Sequence, residues 1–150
     1  MKQLFKRLAV LSLLAAAVTV GQAADKKIVF IAGTPSHAPG DHEHRAGCLL
    51  LAKCLANVPG LTSMVYSNGW PSDPNAFNGA DAVVIYADGG GGHPAIKPDR
   101  LKVLDQLVSK GVGVGCLHYA VEVPKEQGGP EFLRWIGGYF ETFWSVNPTW

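Results

Sequence analysis

Hydrophobic residues fall in two kinds of block along the chain: short unbroken runs that end in glycine or a polar residue, and longer stretches at helical spacing. KIVFIAG (27–33) and ADAVVIYAD (80–88) are of the first kind, the pattern of strands buried on both faces of a parallel sheet. TSMVYS (62–67) is a shorter example, and GVGVGCLH (111–118) a glycine-rich one. DHEHRAGCLLLAKCLANVPG (41–60) predicts a helix with Asp41 as N-cap, Cys48, Leu51, Ala52 and Leu55 as its buried stripe, and a stop at Asn57, Pro59 and Gly60. PDRLKVLDQLVSKG (98–111) predicts a second, with Pro98 in the first turn, Leu101, Leu104, Leu107 and Val108 on one face, and Gly111 at its end. EFLRWIGGYF (131–140) is a weaker helical segment interrupted by Gly137 and Gly138. NGWPSDPNAFNG (68–79) carries too much proline and glycine for a long helix. The order β-α-β-loop-β-α-β predicts an α/β fold with a mainly parallel sheet and right-handed crossovers.

The N-terminus follows a different rule. A basic MKQLFKR is followed by the apolar LAVLSLLAAAVTV, with Gly21 and Ala23 small at the −3 and −1 positions of a cut after Ala23. This reads as a signal peptide over 1–23 of an exported, periplasmic or extracellular protein, with a retained anchor as the alternative. The run is too short for a convincing membrane span, and nothing further along is apolar enough for one. The remaining 24–150 suffices for one domain with a core.

Composition removes several partners. A net charge of +1 suggests neither nucleic acid nor an anionic membrane surface. Three cysteines at scattered positions form no disulfide framework, and Cys48, Cys54 and Cys116 are expected as buried, reduced thiols. Self-association into a homo-oligomer is left open.

The histidines change the picture. Three of the five lie within SHAPGDHEH (36–44). In a parallel sheet ligands bind beyond the carboxyl ends of the strands. His37, His42 and His44 follow the first predicted strand, His93 follows the third, and His118 ends the fourth. All five therefore belong to one rim, and a site there is the main functional expectation.

His118 stands out within GVGCLHYAVE. A strand-to-helix elbow needs small residues two before and two after its tip. Cys116 fails, with Val114 and His118; His118 passes, with Cys116 and Ala120. His118 is thus the candidate acid/base. Glu122, one helical turn later, is a candidate to hold its tautomer, or else a solvated first-turn residue. His37, His42, His44, His93 and Asp88 are candidate substrate contacts, suited to sugar hydroxyls or a carboxylate. His37, His42 and His44 are also candidate ligands for a divalent metal, since neutral imidazole suits zinc and similar ions, although HEH has no recognised ligand spacing. In DGGGGHP (88–94), Gly90 and Gly91 allow close backbone approach and can present N–H groups to an oxyanion, or form a plain turn. Trp135, Tyr139, Phe140, Phe143 and Trp144 fit a core better than a sugar platform.

KIVFIAGTPSHAPGDHEH, DAVVIYADGGGGH and GVGVGCLHYAVEVPK with GGYFETFWSVNP together resemble the ThuA-like, or trehalose-utilisation, domain family across essentially all of 24–150. The resemblance implies a flavodoxin-like, class I glutamine amidotransferase-like three-layer sandwich that continues beyond Trp150. It places His118 where amidotransferases carry a cysteine nucleophile, which argues against amidotransferase chemistry. It also implies a small-molecule sugar substrate, in disaccharide or keto-sugar catabolism. A non-catalytic sugar- or partner-binding module and a metal protein remain the rival readings.

Overall fold

The computed structural model describes residues 25–142. The signal-peptide reading, Phe143 and Trp144 lie outside the described residues. The described chain runs β1 (Lys26–Ala32), α1 (His44–Leu55), β2 (Leu61–Tyr66), β3 (Ala82–Tyr86), α2 (Pro98–Ser109), β4 (Gly113–Leu117), β5 (Glu122–Val123), α3 (Gly129–Ile136) and β6 (Phe140–Glu141). Short 3₁₀ turns occupy Gly90–Gly92 and His118–Val121. The protein is a mixed α/β fold on a four-stranded parallel sheet of order β2-β1-β3-β4. β5 and β6 form a separate two-stranded parallel pair that the pattern did not predict.

Strand alternation distributes the core to both faces. Val29 and Ile31 of β1 join Val83 and Ile85 of β3 and Leu104 of α2 in one buried cluster. Phe30 and Ala32 point the other way, to Cys48, Ala52 and Leu55 of α1. Helices thus cover both faces, which is why β1 and β3 are apolar at nearly every position. A third cluster, of Ile96, Val123 and Phe132, seats α3, with Trp135 and Tyr139 packed against it. Those two aromatics belong to the core side, whereas Phe140 is exposed.

Several boundaries move. α1 starts at His44 rather than Asp41; Glu43 takes the N-cap position and its carboxylate accepts from the Gly40 N–H at 2.9 Å. Its inner stripe is His44, Cys48, Ala52 and Leu55, while Leu51 is exposed. The helix fits closely over β3 only because residue 47 is glycine: a Cβ there would stand 2.4 Å from the Tyr86 ring. After His118 a single 3₁₀ turn leads into β5, so the helix that a strand-to-helix elbow requires does not follow. All three cysteines are free, but Cys54 is exposed rather than buried. Burial pushes the Cys48 thiol up to about 11 and the Cys116 thiol up to about 12, so neither is a ready nucleophile. No helix among the described residues is long and apolar enough to cross a membrane.

Sheet register sets up the site. Ala32 pairs with Tyr86, and Tyr86 with Leu117, so β1, β3 and β4 end in one row. The segments that follow them, led by Gly33, Ala87 and His118, leave the sheet at the same height.

Candidate functional site

The loop after β1 doubles back on itself. Ser36 and His42 form an isolated antiparallel bridge, and the Asp41 N–H donates to the Ala38 carbonyl at 3.1 Å. His42 is therefore extended when the chain reaches His44, the first residue of α1. On a helix an i, i+2 pair diverges. Here one member precedes the helix, and both rings turn to the same carboxylate. The His42 Nδ1–H donates to Asp88 Oδ1 at 2.9 Å, and His44 Nε2 lies 3.7 Å from the same oxygen.

His118 approaches from the other side. It follows β4 directly with φ 58°, in the left-handed region. Its Nε2 lies 3.3 Å from His42 Nε2 and the rings meet edge to face, with centroids 4.7 Å apart. His37 packs against His42 from the loop, the rings tilted by 54° with centroids 4.0 Å apart. It too has a positive φ, of 63°. Among the described residues only Asn68 otherwise shows this conformation without being glycine. Strain of ~1–3 kcal/mol at each of two neighbouring histidines is typical of a site whose geometry the fold imposes.

Electrostatics centre on Asp88. Partial burial raises its carboxyl, but hydrogen bonds from Ser36 and His42 and the charges of His44 and His42 together outweigh burial and hold it below the ordinary carboxylate value. His118 is held below the usual imidazole value, by burial first and then by the His42 ring; Asp88 opposes this, while His44 and His37 add to it. The rings border a cleft of about 520 Å³, lined by His37, Gly40, Asp41, His42, His118 and Tyr119.

Two sequence expectations change. His93 is 3% exposed and stands apart from this cluster. Its Nε2–H donates to the Ala120 carbonyl at 3.0 Å and its Nδ1 accepts the Ala95 N–H at 3.0 Å, so neither ring nitrogen is left for a substrate. Its role is to tie the glycine loop to the turn after His118. Glu122 has no helix to carry it back towards His118, and the groups whose charges act on His118 are His42, Asp88, His44 and His37. Glu122 lies beneath the glycine loop, where a Cβ on Gly89 would stand 2.6 Å from its Cβ and 2.5 Å from the Tyr119 carbonyl. The loop's need for glycine therefore falls on Gly89, packed against this turn, and on Gly90 with φ 60°. Gly91 is exposed, with open space where a side chain would be.

Sequence reasoning passed over Ser36, Tyr119 and the Thr34 carbonyl. Ser36 Oγ lies 3.4 Å from His42 Nδ1 and 3.2 Å from His37 Nδ1. The Tyr119 ring packs 4.4 Å from that of His118. Ser36 and Tyr119 adjoin the quoted motifs, and adjacency to a histidine was the only available signal. The Thr34 carbonyl accepts from His44 Nδ1–H at 3.2 Å. The predicted metal set is also regrouped: His37, His42 and Asp88 bring ligand atoms within 4.8 Å of one another, without His44.

No family model, curated protein or solved structure matches the chain.

Proposed function

We propose that this is an exported carbohydrate-active enzyme on a flavodoxin-like three-layer scaffold, in which His118 transfers a proton to or from a bound sugar or keto-sugar. The observation that carries this reading is the chain Asp88–His42–His118, with contacts of 2.9 and 3.3 Å. Asp88 fixes the tautomer of His42 by accepting from Nδ1, which turns the Nε2 lone pair toward His118. When His118 takes a proton from a substrate hydroxyl, or from a carbon next to a carbonyl, it donates Nε2–H to His42. Asp88 stabilises the positive charge that develops across the two rings. His42 and Asp88 take the positioning role for which Glu122 was one candidate. His37 and the cleft wall at Gly40 and Asp41 are then placed to bond the hydroxyls of the sugar.

The sugar class comes from the ThuA-like motifs, and the polar, open cleft suits it. The test is turnover and binding measured side by side, with disaccharides and keto-sugars as substrates. Product from the wild type, with His118→Ala binding substrate but forming none, supports proton transfer. Binding without product in the wild type overturns it in favour of a binding module.

A further inference from the structure

We infer that the same rim is a binding site for a divalent first-row transition cation of the zinc class, held by His37, His42 and Asp88. Two imidazoles and one carboxylate form a borderline donor set that suits zinc, cobalt(II) or iron(II); calcium and magnesium prefer oxygen ligands throughout. The ligand atoms lie within 4.8 Å of one another. Around a four-coordinate ion with bonds of ~2.0–2.1 Å, ligands stand roughly 3.3–3.5 Å apart. The remaining contraction is small, and His37 is an exposed loop residue with room to turn.

His44 supplies an independent reason. Its Nδ1–H is committed to the Thr34 carbonyl, which leaves Nε2 a lone pair. That nitrogen is buried, has no hydrogen-bond partner and stands 3.7 Å from Asp88 Oδ1; the side chain is 1% exposed. A buried acceptor facing a carboxylate is unfavourable unless positive charge stands between or beside them. A cation on Asp88 supplies that charge.

The strained backbone of His37 points the same way. Its φ of 63° is a cost borne by an exposed residue, and what that conformation secures is the ring at 4.0 Å from His42. A bound ion also leaves the contact with His118 in place. It displaces the proton between His42 and Asp88, and neutral His42 then carries its proton on Nε2. The contact with His118 persists with its direction reversed, His42 Nε2–H donating to His118; the relay from His118 to His42 belongs to the ion-free site. The ligand set differs from the one expected from sequence in a single member. Asp88, 46 positions after His42, replaces His44, which sits behind it as a neighbour of the carboxylate.

The experiment uses the full chain, stripped with a chelator and titrated with cobalt(II) and then zinc in the absence of substrate. It therefore succeeds or fails independently of the proton-transfer reading. The expected result is about one cobalt per chain, with the intense visible bands of a four- or five-coordinate ion, no thiolate charge-transfer band, and displacement by zinc. His37→Ala and Asp88→Asn each weaken zinc binding about 10- to 100-fold by calorimetry, and Cys54→Ser leaves it unchanged. If Asp88→Asn does not fold, His37→Ala decides alone, because that loop residue is exposed. The inference is overturned by the pale spectrum of hydrated cobalt, by undiminished affinity in His37→Ala, or by loss of binding in Cys54→Ser.

Discussion

His93 and His118 belong to the same sheet edge and are the same chemical group, yet the fold gives them opposite work. Both ring nitrogens of His93 are consumed by backbone partners, Ala120 and Ala95, in a buried place. His118 faces another imidazole across 3.3 Å, at the border of an open cleft. Position at the rim is therefore insufficient evidence of function. The discriminating question is which ring nitrogens the protein itself has already satisfied. His93 holds the floor beneath the rim, since its partner Ala120 lies in the very turn that presents His118.

The comparison can be broken most directly at His118. His118→Ala should lower kcat by about 10²–10⁴-fold, the usual worth of a positioned acid/base, with little change in the urea midpoint. A comparable loss of stability would mean that the ring is structural like its counterpart. His93→Leu should show the reverse. It leaves two buried backbone groups unpaired, at a cost of about 2–4 kcal/mol of unfolding free energy by urea titration, while the folded fraction keeps its turnover.

Acid sharpens the contrast. Burial holds the His93 imidazole down to about 4, from an ordinary value of 6.5. The unfolded chain therefore binds this proton first. The stabilisation is complete above about pH 6.5, declines as the pH falls through that window, and is gone near pH 4, on the order of 3 kcal/mol. His93→Leu should flatten the stability curve over this interval, as measured by denaturant titration at each pH. An unchanged slope would show that the acid sensitivity does not come from His93. The smallest effect belongs to Glu122. Because no helix carries it back to His118, Glu122→Gln should change turnover by less than about twofold, far from the loss that follows removal of an acid/base partner.

Much of this arrangement was legible in the residues. Apolar runs and glycine punctuation located the four principal strands, because a strand buried on both faces must be apolar at successive positions. The pattern of small residues around His118 marked a tight turn after β4, but the helix that an elbow needs does not follow. The roles of Glu122, Leu51 and His93 were less accessible. Each depended on whether a local segment continued as helix, which way that helix faced, or what backbone stood opposite a ring. Those are decided by packing partners distant in the chain.

The sequence alone determined that a parallel α/β sheet would carry its histidines at one rim, since periodicity and loop placement are local properties. Only the tertiary structure decided which of them act together. It set β1, β3 and β4 in register, brought Asp88 to His42 across 46 positions and His118 to His42 across 76, and closed His93 off with backbone. Partnerships of that kind depend on three-dimensional distance and on competition for hydrogen bonds, neither of which is written in the spacing of residues along a chain.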